Sequence, residues 1–204
     1  MQILTHPAQL QRLEGILRKE LLLTPPLPQV FGAVLNINRG NPGQFEVLVD
    51  KWPEFGAVLA RPSGEVPVND GYWNTQAAFY RDLGAYRALL ETPGCLRWDV
   101  AFTLIGLQDG VTTVSQDLAG RKGVELDIVE YYSYWHPDPS TMPEPRVALT
   151  VAAQRAQARG FPTFGHTALG NRPMQQLQEL LGHQRLPGVC RYILHNPSLD
   201  RDGP

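Results

Sequence analysis

The stretch His136-Pro-Asp-Pro-Ser-Thr-Met-Pro-Glu-Pro145 divides the chain into two parts, because four of its ten residues are prolines. Proline breaks a helix interior and removes a hydrogen bond from a sheet, so no regular element is expected to cross this stretch. We therefore predict a larger domain at 1–135, a proline-rich link at 136–146, a smaller piece at 147–195 and a tail at 196–204.

The composition is that of an ordinary globular protein, with 43% hydrophobic and 19% charged residues. The formal net charge of -2 argues against a nucleic-acid-binding surface. No apolar run reaches the roughly 18 residues that span a bilayer, and no secretory signal is recognised at the N-terminus. The sequence therefore predicts neither a nucleic-acid partner nor a membrane span.

The two cysteines, Cys95 and Cys190, lie far apart in the sequence. Their separation leaves a disulfide open as an alternative but favours two buried free thiols in a reducing compartment. Because no CxxC or HxxxH spacing occurs, we predict no metal site.

Before the link, apolar periodicity predicts a mixed α/β layer in the order α–β–α–β–β–α–β–α–β. Turn and cap residues set the expected boundaries. The expected elements are a helix from Thr5 carrying Leu10, Leu13 and Leu17, a strand Val30–Ile37, a helix Phe45–Asp50, strands Gly56–Ala60 and Trp73–Tyr80, a helix capped by Asp82, a strand Ala101–Leu107, a helix with Val111, Val114 and Leu118, and a strand Val124–Trp135.

After the link, the pattern predicts two helices and two strands. They are Val147–Arg159 (helix), Phe161–Gly165 (strand), Arg172–Leu181 (helix) and Val189–Leu194 (strand). So small a piece cannot bury all of its apolar surface by itself. We expect it to pack on the larger domain, to pair with another chain, or to be poorly ordered.

Several motifs before the link are specific enough to indicate a family. They are Val30-Phe-Gly-Ala-Val-Leu-Asn-Ile-Asn-Arg-Gly-Asn-Pro42, Val49-Asp-Lys-Trp-Pro-Glu-Phe55, Tyr72-Trp-Asn-Thr75 and Phe79-Tyr-Arg-Asp82. With these motifs the first part resembles the amino-terminal half of the glycine N-acyltransferase family. After the link, Val147-Ala-Leu-Thr150 and Arg159-Gly-Phe-Pro162 resemble the end of the same family's carboxy-terminal domain.

This resemblance implies a fold and a function. It implies an α/β protein with a GNAT-like (acetyltransferase-like) mixed-sheet N-terminal domain and a partial second GNAT-like domain. In the family, the second domain transfers an acyl group from acyl-CoA, the co-substrate, to the amino group of glycine. The implied partners are therefore acyl-CoA and glycine. The implied location is mitochondrial, with the cytoplasm as the alternative.

The resemblance also implies that a stretch is absent between Pro145 and Val147. In relatives that stretch supplies the early strands of the second domain, a general-base glutamate, and a glycine-containing loop that receives the CoA pyrophosphate. Two hypotheses follow. Either the chain retains acyl-CoA:glycine N-acyltransferase activity, or it is a catalytically inactive splice or truncation form that serves as a binding module or has no function.

Two residues are candidate CoA contacts. Asn171 matches an asparagine that the family places beside CoA, although it also suits a helix cap. Arg146 is the favourable group before the helix that would receive the pyrophosphate, where Pro143 and Pro145 offer no N–H. Arg155 and Arg159 could also reach phosphates, and their alternative is a solvated basic helix face.

No catalytic residue is assigned from the sequence. Glu144, His166 and His183 could each serve as a base, but Glu144 lies in the link and lone histidines are commonly structural. Aromatic residues of the last strand before the link could line an acyl pocket or simply form sheet surface: Tyr131, Tyr132, Tyr134 and Trp135. Trp52, within its Lys-Trp-Pro motif, is interpreted as a core anchor.

Overall fold

The computed structural model describes residues 1–23, 28–142, 148–161 and 163–201. The chain forms two compact units, the first from Met1–Val129 with Arg191–Pro204 and the second from Glu130–Cys190. The strands in chain order are β1 (Gln2–Leu4), β2 (Phe45–Val49), β3 (Ala57–Pro62), β4 (Thr75–Tyr80), β5 (Phe102–Gly106), β6 (Leu126–His136), β7 (Thr163–Ala168), β8 (Gln184–Arg185) and β9 (Cys190–His195). The helices are α1 (Pro7–Leu23), α2 (Pro28–Asn38), α3 (Leu83–Glu91), α4 (Asp109–Lys122), α5 (Ala148–Ala158), α6 (Arg172–Leu180) and α7 (Pro197–Arg201).

The first unit is built on a mixed sheet in the order β1-β2-β3-β4-β5-β9. The pairs β1–β2, β2–β3 and β3–β4 are antiparallel, β4 and β5 are parallel, and β9 is antiparallel to β5. The parallel pairing runs only from Thr75 opposite Thr103 to Ala77 opposite Ile105. Beyond it, the side-chain amide of Gln108 accepts from Tyr80 N and donates to Tyr80 O, so it satisfies the backbone where the two strands separate.

Helices cover both faces of this sheet, as a mixed α/β layer requires. Helix α2 packs on β2, β3 and β4, whereas α3 packs on β3 and β4, and α4 packs on β5. The core on the α3 and α4 face combines alternate strand residues with the apolar stripes of both helices. Its fully buried members include Leu48, Leu59, Phe102, Leu104, Tyr86, Val111, Val114 and Ile193.

Two elements differ from the sequence prediction. The segment 30–37, predicted as a strand, lies inside helix α2, and the segment 45–50, predicted as a helix, contains strand β2. A short apolar run does not by itself distinguish a buried helix from a buried strand. Here Pro28 occupies the first helical position, where its missing N–H costs nothing. The edge strand β1, only three residues long, was not predicted at all.

The remaining elements of the first unit agree with the prediction. The helix expected from Thr5 is α1, with Leu13 and Leu17 fully buried. Asp82 caps α3 by accepting from Ala85 N, and Gly123 ends α4 in the left-handed conformation. The strands predicted near residues 56, 73, 101 and 124 are β3, β4, β5 and β6. The mixed α/β class is therefore confirmed.

The second unit is a small antiparallel sheet with two helices. Strand β6 pairs with β7 from Tyr131 opposite Ala168 to His136 opposite Thr163, and it also pairs with β8. The apolar core is small, with Met142, Ala153 and Leu181 buried and Leu177 beside them. Several buried residues of this unit are polar, among them Ser133, His136, Thr150, Thr167, Gln178 and His183.

The grouping of residues differs from the boundaries expected from the sequence. The expected second piece, 147–195, ends with the strand observed as β9, but Arg191 to His195 pair with β5 in the first unit. The described part of the link, 136–142, includes the end of β6 and a 3-10 turn at Pro139–Thr141. The prediction that 147–195 derives from a second GNAT domain concerns ancestry, and packing does not test it.

Within the described ranges, no helix is both long enough and apolar enough to cross a membrane.

Candidate functional site

A cavity of about 460 Å3 lies within the first unit, between helix α2 and the sheet. We call it the Trp73 pocket. It is lined by Gln29, Gly32, Ala33, Asn36, Phe45, Ala60, Tyr72, Trp73, Thr75, Ala77, Ile105 and Tyr192. Its volume is within the range of small-molecule sites, about 300–1,000 Å3.

The pocket exists because small residues face one another across it. Helix α2 contributes Gly32 and Ala33, and the sheet contributes Ala60 and Ala77. A Cβ atom added at Gly32 would meet no atom within 4 Å, which shows that this helix position borders open space. Larger side chains at these positions would fill the cavity, since protein interiors otherwise pack at high density.

Two exposed aromatic side chains stand at the pocket. Tyr72 is 80% exposed and Trp73 is 70% exposed, and their rings meet edge to face with centroids 6.4 Å apart. The loop that carries them is fixed by Asp70, whose carboxylate accepts from Trp73 N at 2.9 Å. The Thr75 hydroxyl donates to Tyr72 O.

A second cavity of about 570 Å3 shares Trp73 and Phe45 with the first. Its other lining residues come from two loops and the end of β3: Pro42, Gly43, Gln44, Pro62, Gly64, Glu65, Val66 and Pro67. Trp73 therefore borders two adjoining cavities, so its indole can contact a ligand in either.

The Trp73 pocket is uncharged. None of the residues that line it is acidic, basic or a histidine. Its polar side chains are carboxamides and hydroxyls, and the Asn36 carboxamide oxygen already accepts from Gly43 N at 3.0 Å. Such a lining can hold an apolar or neutral polar group, but its described residues offer neither a base nor a cation to pair with a phosphate.

Two helix N-termini of the first unit, those of α3 and α4, are also unsuited to phosphate. Asp82 caps α3, and Asp109 lies in the first turn of α4. At the start of α4 the Gly110 N–H donates to the Tyr80 hydroxyl, so it is already occupied. A helix N-terminus attracts anions through its free N–H groups and positive dipole end, and a carboxylate there opposes that attraction.

Of the two predicted CoA contacts, one can be placed. Asn171 is the N-cap of α6, where its side chain accepts from Met174 N at 3.2 Å. Its contact with CoA stays a prediction. Arg146 lies outside the described residues, as does Glu144. Arg155 and Arg159 are exposed.

The two histidines considered as bases lie in the second unit. Burial lowers the pKa of His166 to about 4. Burial, and secondarily the neighbouring His136 ring at 5.0 Å, lower the pKa of His183. A general base works best with a pKa near the working pH, so burial makes both imidazoles weak proton acceptors near neutrality.

The aromatic residues proposed for an acyl pocket mainly form sheet surface and core. Tyr134 is fully buried, while Tyr131, Tyr132 and Trp135 are half-buried. Trp52 is half-buried beside the guanidinium of Arg12 at 5.8 Å, so it is not a fully buried core anchor.

Both cysteines are buried and free, as predicted. Among the described residues, no group of three or more metal-binding side chains comes together.

The pocket residues carry no sequence motif that predicts a site. Gln29, Gly32, Ala33 and Asn36 have the spacing of one helix face. The signal was therefore present, but it was hidden by the interpretation of 30–37 as a strand. Tyr72 and Trp73 were noticed only as part of a family motif.

The fold and the site define an α/β protein of the GNAT-like class. An X-ray structure of a Drosophila protein from a structural genomics consortium has the same fold, with a TM-score of 0.65 at 10% identity, and the match covers 96% of this chain and 98% of that one. The chain belongs to the aralkyl acyl-CoA:amino acid N-acyltransferase family, whose sequence model matches residues 1–171.

Curated relatives agree with this family. The chain is 34% identical to bovine glycine N-phenylacetyltransferase over 137 residues, and this match covers 66% of the chain and 45% of the relative. It is 34% identical over 128 residues to bovine glycine N-acyltransferase, covering 62% and 42%. It is 30% identical over 132 residues to human glycine N-acyltransferase-like protein 2, covering 64% and 44%. The chain therefore spans less than half the length of these relatives.

Proposed function

We propose that this protein takes part in the transfer of an acyl group from acyl-CoA to the amino group of glycine. The observation that carries the proposal is the family match over residues 1–171. Two bovine relatives at 34% identity are named for glycine N-acyl transfer, which supports glycine as the acceptor. The family's own description supports acyl-CoA as the donor.

The reaction requires three elements. A base must take a proton from the glycine ammonium group, hydrogen-bond donors must stabilise the oxyanion on the thioester carbon, and a site must hold the CoA phosphates. Of these, the described residues offer weak candidates for the base in His166 and His183. For the CoA site, Asn171 remains the candidate, together with Arg146 outside the described ranges.

The direct test is formation of acylglycine by the purified full chain. Benzoyl-CoA or phenylacetyl-CoA would be incubated with glycine, and the product measured by mass spectrometry. Bovine glycine N-acyltransferase is the positive control and heat-unfolded chain the negative one. Product that rises in proportion to folded protein supports the proposal. Product no higher than with the unfolded chain overturns it.

A second candidate function is a non-catalytic binding module of the same family. The observation that favours it is the start of α3, where Asp82 occupies the N-cap, together with the uncharged lining of the Trp73 pocket. This candidate predicts that acyl compounds raise the melting temperature of the chain while no acylglycine forms. Ligand at 100 times its dissociation constant adds about 2.7 kcal/mol to the free energy of unfolding, which is readily measured.

We also propose a mitochondrial location, with the cytoplasm as the alternative. The proposal rests on the family and not on helix α1 acting as a cleaved presequence, because Leu13 and Leu17 of α1 are fully buried in the first unit. Imaging of a C-terminally tagged chain beside a mitochondrial marker tests it, and diffuse signal would contradict it.

A further inference from the structure

We propose that the Trp73 pocket is a binding site for an uncharged aromatic ring. This site lies wholly in the first unit and uses none of the residues considered above for acyl transfer. The inference does not depend on the proposed activity, because it concerns binding and is tested by binding.

Small residues on both walls keep the Trp73 pocket open. Gly32 on the helix wall and Ala60 and Ala77 on the sheet keep the space open in an otherwise packed layer. The open volume at Gly32 lies beside the helix backbone itself. A planar ring can therefore contact the helix backbone at Gly32 on one side and the small side chains of the sheet on the other.

Aromatic side chains make up a large part of the pocket lining. Phe45, Tyr72, Trp73 and Tyr192 all line the cavity, and the first three come from loops or strand ends near its edge. Trp73 and Tyr72 are held by the Asp70 turn while remaining mostly exposed. Exposed tryptophan and tyrosine beside a concave apolar surface are typical of recognition sites, and aromatic rings favour edge-to-face or offset-stacked contacts with one another.

The described lining of the Trp73 pocket carries no charged side chain. No basic residue is among the described residues of the lining, so a carboxylate placed inside would find hydrogen-bond donors but no cation to balance its charge. A neutral amide or ester attached to the ring needs only hydrogen bonds, which the carboxamide of Asn36 and the hydroxyl of Thr75 at the walls can supply. The ligand class is therefore a neutral aryl compound, either free or as the aryl group of a thioester whose charged portion stays outside.

The test measures the binding of three probes to the purified full chain by ligand-observed NMR and by calorimetry. The probes are phenylacetamide, phenylacetate and phenylacetyl-CoA. For a ligand of phenylacetamide's size we expect a dissociation constant of about 1 mM. Phenylacetate should bind at least about tenfold more weakly, because the described lining offers no cation to balance its charge.

The decisive variant is Gly32→Leu, which places a side chain in the cavity. Its matched control is Gly15→Leu on α1, where an added Cβ also meets no atom within 4 Å. Both replacements remove a helix-interior glycine, so both should fold at least as well as the original chain. We expect Gly32→Leu to weaken phenylacetamide binding at least about tenfold and Gly15→Leu to change it less than about twofold.

The third probe separates the two sources of the ring. If Gly32→Leu weakens phenylacetyl-CoA as strongly as phenylacetamide, the pocket holds the aryl group of an acyl thioester. If it weakens only phenylacetamide, the pocket is a site for a free neutral aryl compound. Two results would overturn the proposal: saturation of none of the probes, or equal phenylacetamide affinity in Gly32→Leu and the original chain.

Discussion

Replacing His195 by phenylalanine should remove much of the acid sensitivity of the first unit. His195 on β9 is fully buried, and its ring stacks on Phe102 with centroids 4.1 Å apart and an interplanar angle of 10°. Trp98 contacts the same imidazole edge to face at 5.7 Å. Burial lowers the pKa of His195 from 6.5 to about 4. Phenylalanine keeps the ring stack but cannot be protonated.

The magnitude follows from the difference in pKa between the folded and unfolded chain. Because the folded pKa is the lower one, the unfolded chain binds the proton more readily between pH 6.5 and about 4. The free energy of unfolding is therefore highest above pH 6.5 and falls as the pH is lowered through this window. From pH 7 to pH 4.5 the loss due to His195 alone is about 2.5 kcal/mol.

The assay is urea unfolding of the full chain at pH 7 and at pH 4.5, with tryptophan fluorescence as the signal. His195→Phe should lose about 2.5 kcal/mol less than the original chain between the two pH values. Because a larger ring changes the packing at both pH values, the comparison is the difference between them. Equal losses in His195→Phe and the original chain would refute the reasoning.

Three further outcomes are expected. Asn171→Ala should lower the free energy of unfolding by about 1 kcal/mol in urea melts, whereas Asn171→Ser, which can still cap α6, should retain it. Gly110→Ala should lower the free energy of unfolding by about 1–3 kcal/mol, because its Cβ would collide with the Tyr80 hydroxyl. Gly120→Ala in the same helix should raise the free energy of unfolding by about 0.5–1 kcal/mol, because its Cβ meets no atom within 4 Å. Cys95 should react with a thiol reagent only after unfolding, since it is buried and burial raises its pKa to about 11.

Each of these has a contradicting result. If Asn171→Ser melts like Asn171→Ala, capping does not explain the residue. A KM for acyl-CoA raised in both replacements would then indicate a contact with the co-substrate instead. Equal effects of the two glycine replacements would show that the approach of Tyr80 to Gly110 carries no cost. Rapid labelling of Cys95 in the native chain, followed by mass spectrometry of its peptide, would contradict its burial.

Most of the first unit could be predicted from the sequence because its elements carry clear local signals. Asp82 and Gly123 mark helix ends, and the periodicity of β4 to β6 indicates strands. The exception is the pair of segments 30–37 and 45–50. Both are short and apolar, and what distinguishes them is tertiary: β2 is hydrogen-bonded on both edges, to β1 and β3, while α2 packs across the sheet.

The pocket was harder to predict for the same reason. A cavity arises from what is missing at Gly32, Ala60 and Ala77, which are far apart in the chain and become neighbours only when α2 lies on β3 and β4. For the predicted site residue Asn171, the local sequence signal is strong but has two interpretations. Asn171 carries a strong local signal as a cap, and a capping asparagine has the same sequence pattern as one that binds a ligand.

Strand β9 decides which form of the protein should be used in these experiments. Its residues Arg191 to His195 pair with β5 from Gly106 to Phe102, and Ile193 joins the buried core beside Phe102 and Leu104. A fragment ending at residue 135, the domain boundary expected from the sequence, would leave the β5 edge unpaired and that core uncovered. It would also lack Tyr192 from the Trp73 pocket. Such a fragment should therefore lose both stability and ring binding, and a negative result with it would say nothing about the full chain.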